Sequence, residues 1–225
     1  MARLIGNGEH IFAAANNADS FRVLRGRVSV LKKAPYARLM PYLELAGFRS
    51  IALIRSSDLR FDILSALVER WHPETHTFHF PCGECTTTLE DVTLQLGLPI
   101  DGSPVTGVSA FTDLAALCYQ LLGDSPEDGE SYFFGIKFIW LKAKIGQLSA
   151  NASEGELMCA ARAYIMHMIG AVLMLDANGD SVHLMYLSLL ADLSTARLYS
   201  WGSAVLAMLY RELCRATKPK VHDIG

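Results

Sequence analysis

Apolar residues recur every three or four positions through most of this chain, which is the spacing of one buried face of an α-helix. The first clear stripe predicts a helix over residues 58–71, with Asp58 as its N-cap and Pro73 beyond its end. The same spacing predicts further helices at residues 40–47, 89–96, 112–123, 133–148, 153–178, 180–193 and 203–217.

Residues 75–87 depart from this helical spacing. Residues 75–80 (THTFHF) are rich in β-forming side chains, residues 81–84 (PCGE) form a turn sequence, and residues 85–87 return as a second short strand. Gly83 is free to adopt the positive φ that such a turn needs. The pattern therefore predicts one β-hairpin within a helical chain.

Two capping boxes mark the starts of helices. Thr88 with Asp91, and Ser153 with Glu156, follow the spacing in which a hydroxyl and a carboxylate each bond the other residue's backbone N–H. Gly97 is a suitable residue to end the helix that begins after Thr88. The predicted fold class is mainly α: a multi-helix globular domain with one small β-hairpin.

The stretch that contains the hairpin, ALVERWHPETHTFHFPCGECTTTLEDVTLQLGLPIDG, resembles the signature of the plant mobile domain family, also called aminotransferase-like. Two later stretches, VHLMYLSLLADL (residues 182–193) and YSWGSAVLAMLYRELCRAT (residues 199–217), agree with that family in the same order. The resemblance covers residues 36–225 and implies a domain at 35–225 whose C-terminal part is missing. Residues 1–34 are expected to form a poorly ordered basic leader.

The resemblance also implies a function. It implies a non-enzymatic nuclear interaction module that acts in meristem maintenance, transposon silencing and genome stability. Protein partners, some of them phosphatase-like, are expected, and no catalytic residue, metal ligand or cofactor is carried over by the motifs. The aminotransferase label would require a lysine that holds pyridoxal phosphate beside a Gly/Ser phosphate loop, and the sequence has no such arrangement.

Charge is distributed unevenly along the 225 residues. Residues 1–60 carry ten Lys/Arg and four Asp/Glu, whereas residues 61–159 carry four and fourteen. A basic arm of this kind is typical either of a solvated terminus or of a segment that contacts DNA or chromatin. The basic cluster consists of Arg22, Arg25, Arg27, Lys32, Lys33 and Arg38.

Membrane and secretory signals were not found. The longest apolar run, residues 164–175, is shorter than the roughly 20 residues that a membrane span needs, and residues 1–20 lack the pattern of a signal peptide. No membrane partner is expected.

The sharpest candidate for chemistry is the spacing of His76, His79, Cys82 and Cys85. Two cysteines two residues apart across a glycine turn are typical of zinc knuckles, with His72 or Glu84 available as a further ligand. However, His76 and His79 lie three apart on a predicted strand and should face opposite sides. The alternative is a hairpin that packs its aromatic residues and uses cysteine as a small apolar side chain.

Two other hypotheses remain open at this stretch. A redox pair of Cys82 and Cys85 needs a thiolate at a helix N-terminus. An acid–base group of His79, Glu84 and Asp91 needs the hairpin and the next helix to converge. Elsewhere, His167 lies beside an apolar stripe and is expected to be a core or interface histidine with its hydrogen bonds satisfied.

Overall fold

The structure, a computed structural model, describes residues 24–25, 31, 33–54, 60–106, 113–126, 135–174 and 180–224. Helices dominate these residues and the sheets are small and antiparallel, which confirms the mainly α class. The helices are α1 (Met40–Leu45), α2 (Arg49–Ala52), α3 (Phe61–Glu69), α4 (Leu89–Leu96), α5 (Leu114–Leu122), α6 (Phe138–Gly146), α7 (Glu154–Met168), α8 (Met185–Ser188), α9 (Leu193–Ala196) and α10 (Trp201–Ala216). A 3₁₀ turn, Ala37–Leu39, precedes α1.

Helix α7 forms the centre of the main core. The predicted capping box opens it: Glu156 N–H donates to Ser153 Oγ at 3.3 Å, and Ser153 N–H donates to the Glu156 carboxylate at 2.7 Å. Every residue from Ala160 to Met168 is buried, and α6 packs along this helix. A π-helical segment, Ile169–Leu173, continues it.

The continuous stretch Glu154–Leu173 is apolar enough, and at 20 residues long enough, to cross a membrane. Within the fold, 78% of its apolar window is buried against other elements. The central helix of a core has the same length and composition, so these two properties alone do not distinguish a span from a core helix.

The first sheet has three strands rather than a two-stranded hairpin. Strands β1 (Trp71–His72), β2 (Thr77–Phe80) and β3 (Gly83–Cys85) pair antiparallel in that order. The predicted helix over 58–71 was wrong at its end, because Trp71 leaves the helix and pairs with Phe78. Asp58, the expected N-cap, lies outside the described residues.

A second sheet was not predicted. Strands β4 (Gly135–Lys137) and β5 (Ser181–His183) pair with Ile136 opposite Val182, and both of these side chains are buried. The helices predicted over 133–148 and 180–193 therefore begin too early or are broken. Gly135 permits the close approach of the strands, since a Cβ there would lie 3.2 Å from the Val182 carbonyl oxygen.

A smaller second core joins the two ends of the described chain to α3, β1 and α10. Leu24 is buried in it, and Arg25 N–H donates to the His222 carbonyl at 3.0 Å while Ile224 N–H donates to the Arg25 carbonyl at 2.8 Å. Two residues of the expected leader are therefore packed. Apart from these and residues 31, 33 and 34, the leader lies outside the described residues.

Candidate functional site

The three-stranded sheet has two chemically different faces, because side chains alternate along each strand. Trp71, Phe78 and Cys85 are partners across the three strands and share one face. The other face carries only polar side chains: His72, Thr77, His79 and Glu84.

The face that carries Trp71 and Phe78 packs against α10. Trp71 is fully buried, and its ring centroid lies 4.8 Å from that of Phe78 and 5.3 Å from that of Tyr210. Its indole Nε1 donates to Cys214 Sγ at 3.2 Å. Edge-to-face aromatic packing of this kind adds to the free energy gained by burial, so Trp71 anchors the sheet.

Tyr210 also holds the polypeptide that leads from the sheet to α4. Its hydroxyl donates to the Thr87 carbonyl at 2.7 Å and lies 2.9 Å from Thr86 Oγ1. Thr86 in turn donates to the His76 carbonyl at 2.6 Å, and the His76 ring stacks on Tyr210 at 5.3 Å. This contact fixes a turn in which His76 has a φ of 53°, a value that few residues other than glycine adopt.

The polar face contains a stacked pair of imidazoles. The rings of His72 and His79 lie 3.6 Å apart and nearly parallel. His79 Nε2 is 3.0 Å from Thr77 Oγ1 and 3.6 Å from Glu84 Oε2. The Thr77 hydroxyl and the Glu84 carboxylate both approach Nε2 of His79, whereas in a catalytic triad the hydroxyl and the carboxylate bind opposite nitrogens of the imidazole. The arrangement is therefore a surface hydrogen-bond network rather than a triad.

The four residues of the zinc hypothesis are dispersed. His76 stacks on Tyr210, His79 belongs to the polar face, and Cys82 and Cys85 are exposed. Throughout the part of the chain that the structure describes, no three His, Cys, Asp or Glu side chains form a group able to hold a metal ion. The spacing of these residues brings no ligand set together here.

The acid–base group is not assembled either. Asp91 accepts hydrogen bonds from Thr88 N–H at 2.8 Å and from Thr88 Oγ1 at 2.7 Å, which closes the predicted capping box. These bonds lower the pKa of the Asp91 carboxyl from its usual value. Asp91 therefore serves the start of α4, while His79 and Glu84 remain on the sheet.

The cysteine pair lacks the environment of a redox site. Cys85 ends β3 three residues before Thr88, the N-cap of α4, so its thiol is not at a helix N-terminus. Elsewhere Cys118 is buried, and burial raises the pKa of its thiol to about 11. A thiol of that pKa is protonated and unreactive at neutral pH.

His167 is a core residue, as expected, but its hydrogen bonds are not satisfied. It is fully buried beside Phe138, with ring centroids 5.2 Å apart. Neither ring nitrogen has a hydrogen-bond partner in the described structure. Burial, followed by the charge of Lys142, lowers the pKa of His167 to about 4, so the ring is neutral at physiological pH.

A cleft of about 350 Å³ opens between the ends of α5 and α6 and the start of α7. Its charged side chains are engaged within the fold. Lys144 Nζ lies 2.7 Å from Asp124 Oδ2, and this contact lowers the pKa of Asp124, while Glu156 belongs to the capping box. The cleft is a recess with both polar and apolar walls, and its charged side chains already have partners.

Two members of the basic cluster contribute to the fold. Arg38 donates to the carbonyls of Ala150 at 2.6 Å and Ala152 at 2.7 Å, and Arg25 pairs with the C-terminal segment through its backbone. Lys33 is exposed. Arg22, Arg27 and Lys32 lie outside the described residues.

Sequence reasoning missed a junction between residues 97–103 and 198–203. Ser103 N–H donates to the Leu198 carbonyl at 2.9 Å, and Gly202 N–H donates to the Pro99 carbonyl at 2.8 Å. A Cβ on Gly202 would lie 2.7 Å from Ile100, so only glycine allows this approach. The motifs quoted above contain the signal for this junction, since GLPIDG and SWGSA are parts of them.

Comparison with known proteins gives matches over most of the chain. A family model described as "Plant mobile domain" matches residues 47–225. The curated relatives from Arabidopsis thaliana include "Serine/threonine-protein phosphatase 7 long form homolog", 42% identical over 80% of this chain and 13% of that protein. They also include "Protein MAIN-LIKE 2", 41% identical over 78% of this chain and 26% of the relative. "Protein MAINTENANCE OF MERISTEMS" is 39% identical over 81% of this chain and 38% of the relative. This chain thus spans well under half of each of these relatives, and no solved structure matches it.

Proposed function

Since this chain belongs to the plant mobile domain family, we propose that it is a nuclear protein-interaction module without catalytic activity. Its proposed role lies in meristem maintenance, transposon silencing and genome stability. The name of one relative, which refers to the maintenance of meristems, supports the first of these roles. The name of another, a phosphatase homolog, supports phosphatase-like proteins as a class of partner.

The observation that supports an interaction function is the exposure of three leucines that lie in or near the segments of the structural junction. Leu94 is 74% exposed, Leu198 is 61% exposed and Leu53 is 53% exposed. Leu94 and Leu53 each lie one helical turn from a residue of the tight contact between Gly97 and Ser50. Exposed apolar surface is typical of sites of protein association.

Affinity purification from plant nuclei tests this proposal. The tagged full chain is compared with a variant that combines Leu94→Asp and Leu198→Asp, and with Ile139→Asp as a matched control. Ile139 is 77% exposed but lies on α6, so its replacement removes a similar apolar area from another surface. We expect a reproducible set of partners with wild type and control, and loss of that set with the double variant.

The contrary results are equally definite. Equal recovery of partners by wild type, control and double variant would show that the leucines are not the binding surface. Turnover of a phosphate ester by the purified chain, abolished by Glu84→Ala, would replace the interaction proposal with an enzymatic one.

The basic arm supports a second candidate, a DNA-binding module. Residues 1–60 have a formal net charge of +6, which suits contact with phosphates. A shift assay on DNA at increasing salt decides this alternative, because contacts with phosphates weaken as salt rises. Absent or salt-independent binding would exclude it.

A further inference from the structure

Strand β3 is an edge strand, and its outer side carries backbone groups without a partner in the described structure. It is last in the order β1–β2–β3, and all three of its residues are exposed. Because Phe80 pairs with Gly83 across a two-residue turn, the next pair, His79 with Glu84, is the non-hydrogen-bonded one of the ladder. In agreement, His79 N–H donates to the Arg70 carbonyl at 2.9 Å, away from β3. The N–H and C=O of Glu84 therefore point outward.

We propose that this edge binds an extended, basic segment of a partner protein, which joins the sheet as a fourth strand beside β3. The inference rests on the proposed interaction function and assigns it a surface and a class of partner. In strand addition, the backbone of the edge supplies hydrogen bonds, and the side chains on either face supply specificity.

The acidic residues near the edge favour a partner segment that carries positive charge. Residues 71–91, which comprise the sheet and the start of α4, contain four Asp/Glu and no Lys or Arg. The Glu84 side chain is 57% exposed on the polar face, beside the edge itself. Opposite charges directly across a strand pair attract and like charges repel, so a basic residue is selected opposite Glu84.

The other face of the sheet determines the neighbours of that basic residue. Phe80 is half-buried and Cys85 is exposed on the aromatic face, and residues adjacent to the basic one in an added strand would point to that face. Apolar side chains there would cover Phe80 and Cys85. The partner segment thus has a basic residue between two apolar ones.

Peptide titration of the full chain tests the edge directly. The probe is a fluorescent five-residue peptide that alternates valine and arginine, and its control has an N-methyl group on each arginine amide. We expect the probe to bind with an affinity that falls as salt rises, and the N-methylated peptide not to bind, because its arginines cannot donate to the Glu84 carbonyl. Equal binding of both peptides would overturn the proposal.

Protein variants separate the edge from charge in general. Glu84→Arg should weaken binding of the probe by about tenfold or more. The matched control, Glu74→Arg, reverses an exposed charge in the turn between β1 and β2 and should change binding by less than about twofold. Equal loss in both variants would show that the peptide senses only the overall charge and would overturn the edge as its site.

Two further measurements exclude other occupants. If sedimentation shows a dimer of wild type that Glu84→Arg dissociates, the edge pairs with a second copy and the partner proposal is wrong. In affinity purification, equal partners for wild type and Glu84→Arg would refute the edge while the interaction function stands. Loss of selected partners by Glu84→Arg, with Glu74→Arg unaffected, would support both.

Discussion

Two polar side chains on α7, Arg162 and His167, are buried, and they differ in whether they form hydrogen bonds. Arg162 Nε donates to the Leu190 carbonyl at 2.8 Å, and its two terminal nitrogens donate to the carbonyls of Leu121 and Ala191. His167 has no such partner among the described residues. Periodicity correctly placed His167 near the core. The hydrogen-bond partners of Arg162, in contrast, lie 28 to 41 residues away, so local sequence could not predict them.

Replacing Arg162 should destabilise the protein strongly. Arg162→Met leaves two buried carbonyls and one partly buried carbonyl without this donor, and we expect the free energy of unfolding to fall by about 3 kcal/mol in urea titration. Arg49→Met is the matched control, since Arg49 pairs with Glu44 on the surface and its side chain is 54% exposed. The control should lose about 0.5 kcal/mol or less, and equal losses would contradict the structural role of Arg162.

The burial of His167 should make stability depend on pH. Its pKa is lowered from 6.5 to about 4 in the folded protein, so the unfolded chain binds a proton first as pH falls. The free energy of unfolding should therefore be unaffected by this group above pH 6.5 and decrease by up to about 1.4 kcal/mol per pH unit between pH 6.5 and 4. His167→Met should flatten this part of the urea-unfolding profile, and an unchanged slope would show that His167 is not responsible.

At the scale of elements, local signals predicted helix boundaries better than strand pairing. The capping boxes at Thr88 and Ser153 and the glycine cap at Gly97 are found where the sequence indicated, and Gly123 ends the helix predicted over residues 112–123. The short strands β4 and β5 were missed because each has three residues and gains its partner more than 40 positions away. Two helical patterns adjoin them, so periodicity extended the helices over the strands.

The sequence pattern predicted the hairpin but not its packing against α10. Helical spacing does not reveal that the Tyr210 hydroxyl donates to the Thr87 carbonyl, 123 residues away in sequence. Tyr210→Phe should remove this bond at a cost of about 1 kcal/mol and speed amide hydrogen exchange in β2 and β3, measured by mass spectrometry. Tyr119→Phe, on a residue that is 58% exposed, is the control. Equal exchange in wild type and Tyr210→Phe would argue against this contact as the brace.

At the scale of the whole molecule, the family motifs form contacts with one another. The hairpin motif meets the last helix through Trp71 and Tyr210, and residues 97–103 meet residues 198–203. These packing contacts give a structural reason why motifs that are distant in sequence occur together in one chain. The resemblance identified the family from sequence, whereas the partners and the cellular role rest on the proposal above.

Replacing the reactive side chains of the hairpin, while its aromatic residues stay unchanged, tests the central claim most directly. The variant combines His79→Gln, Cys82→Ser and Cys85→Ser, and its thermal midpoint and bound zinc are measured beside wild type. If the hairpin serves as a structural brace, the midpoint should stay within about 2 °C of wild type and neither protein should contain stoichiometric zinc. Stoichiometric zinc in wild type, lost together with the folded state in the variant, would contradict the account.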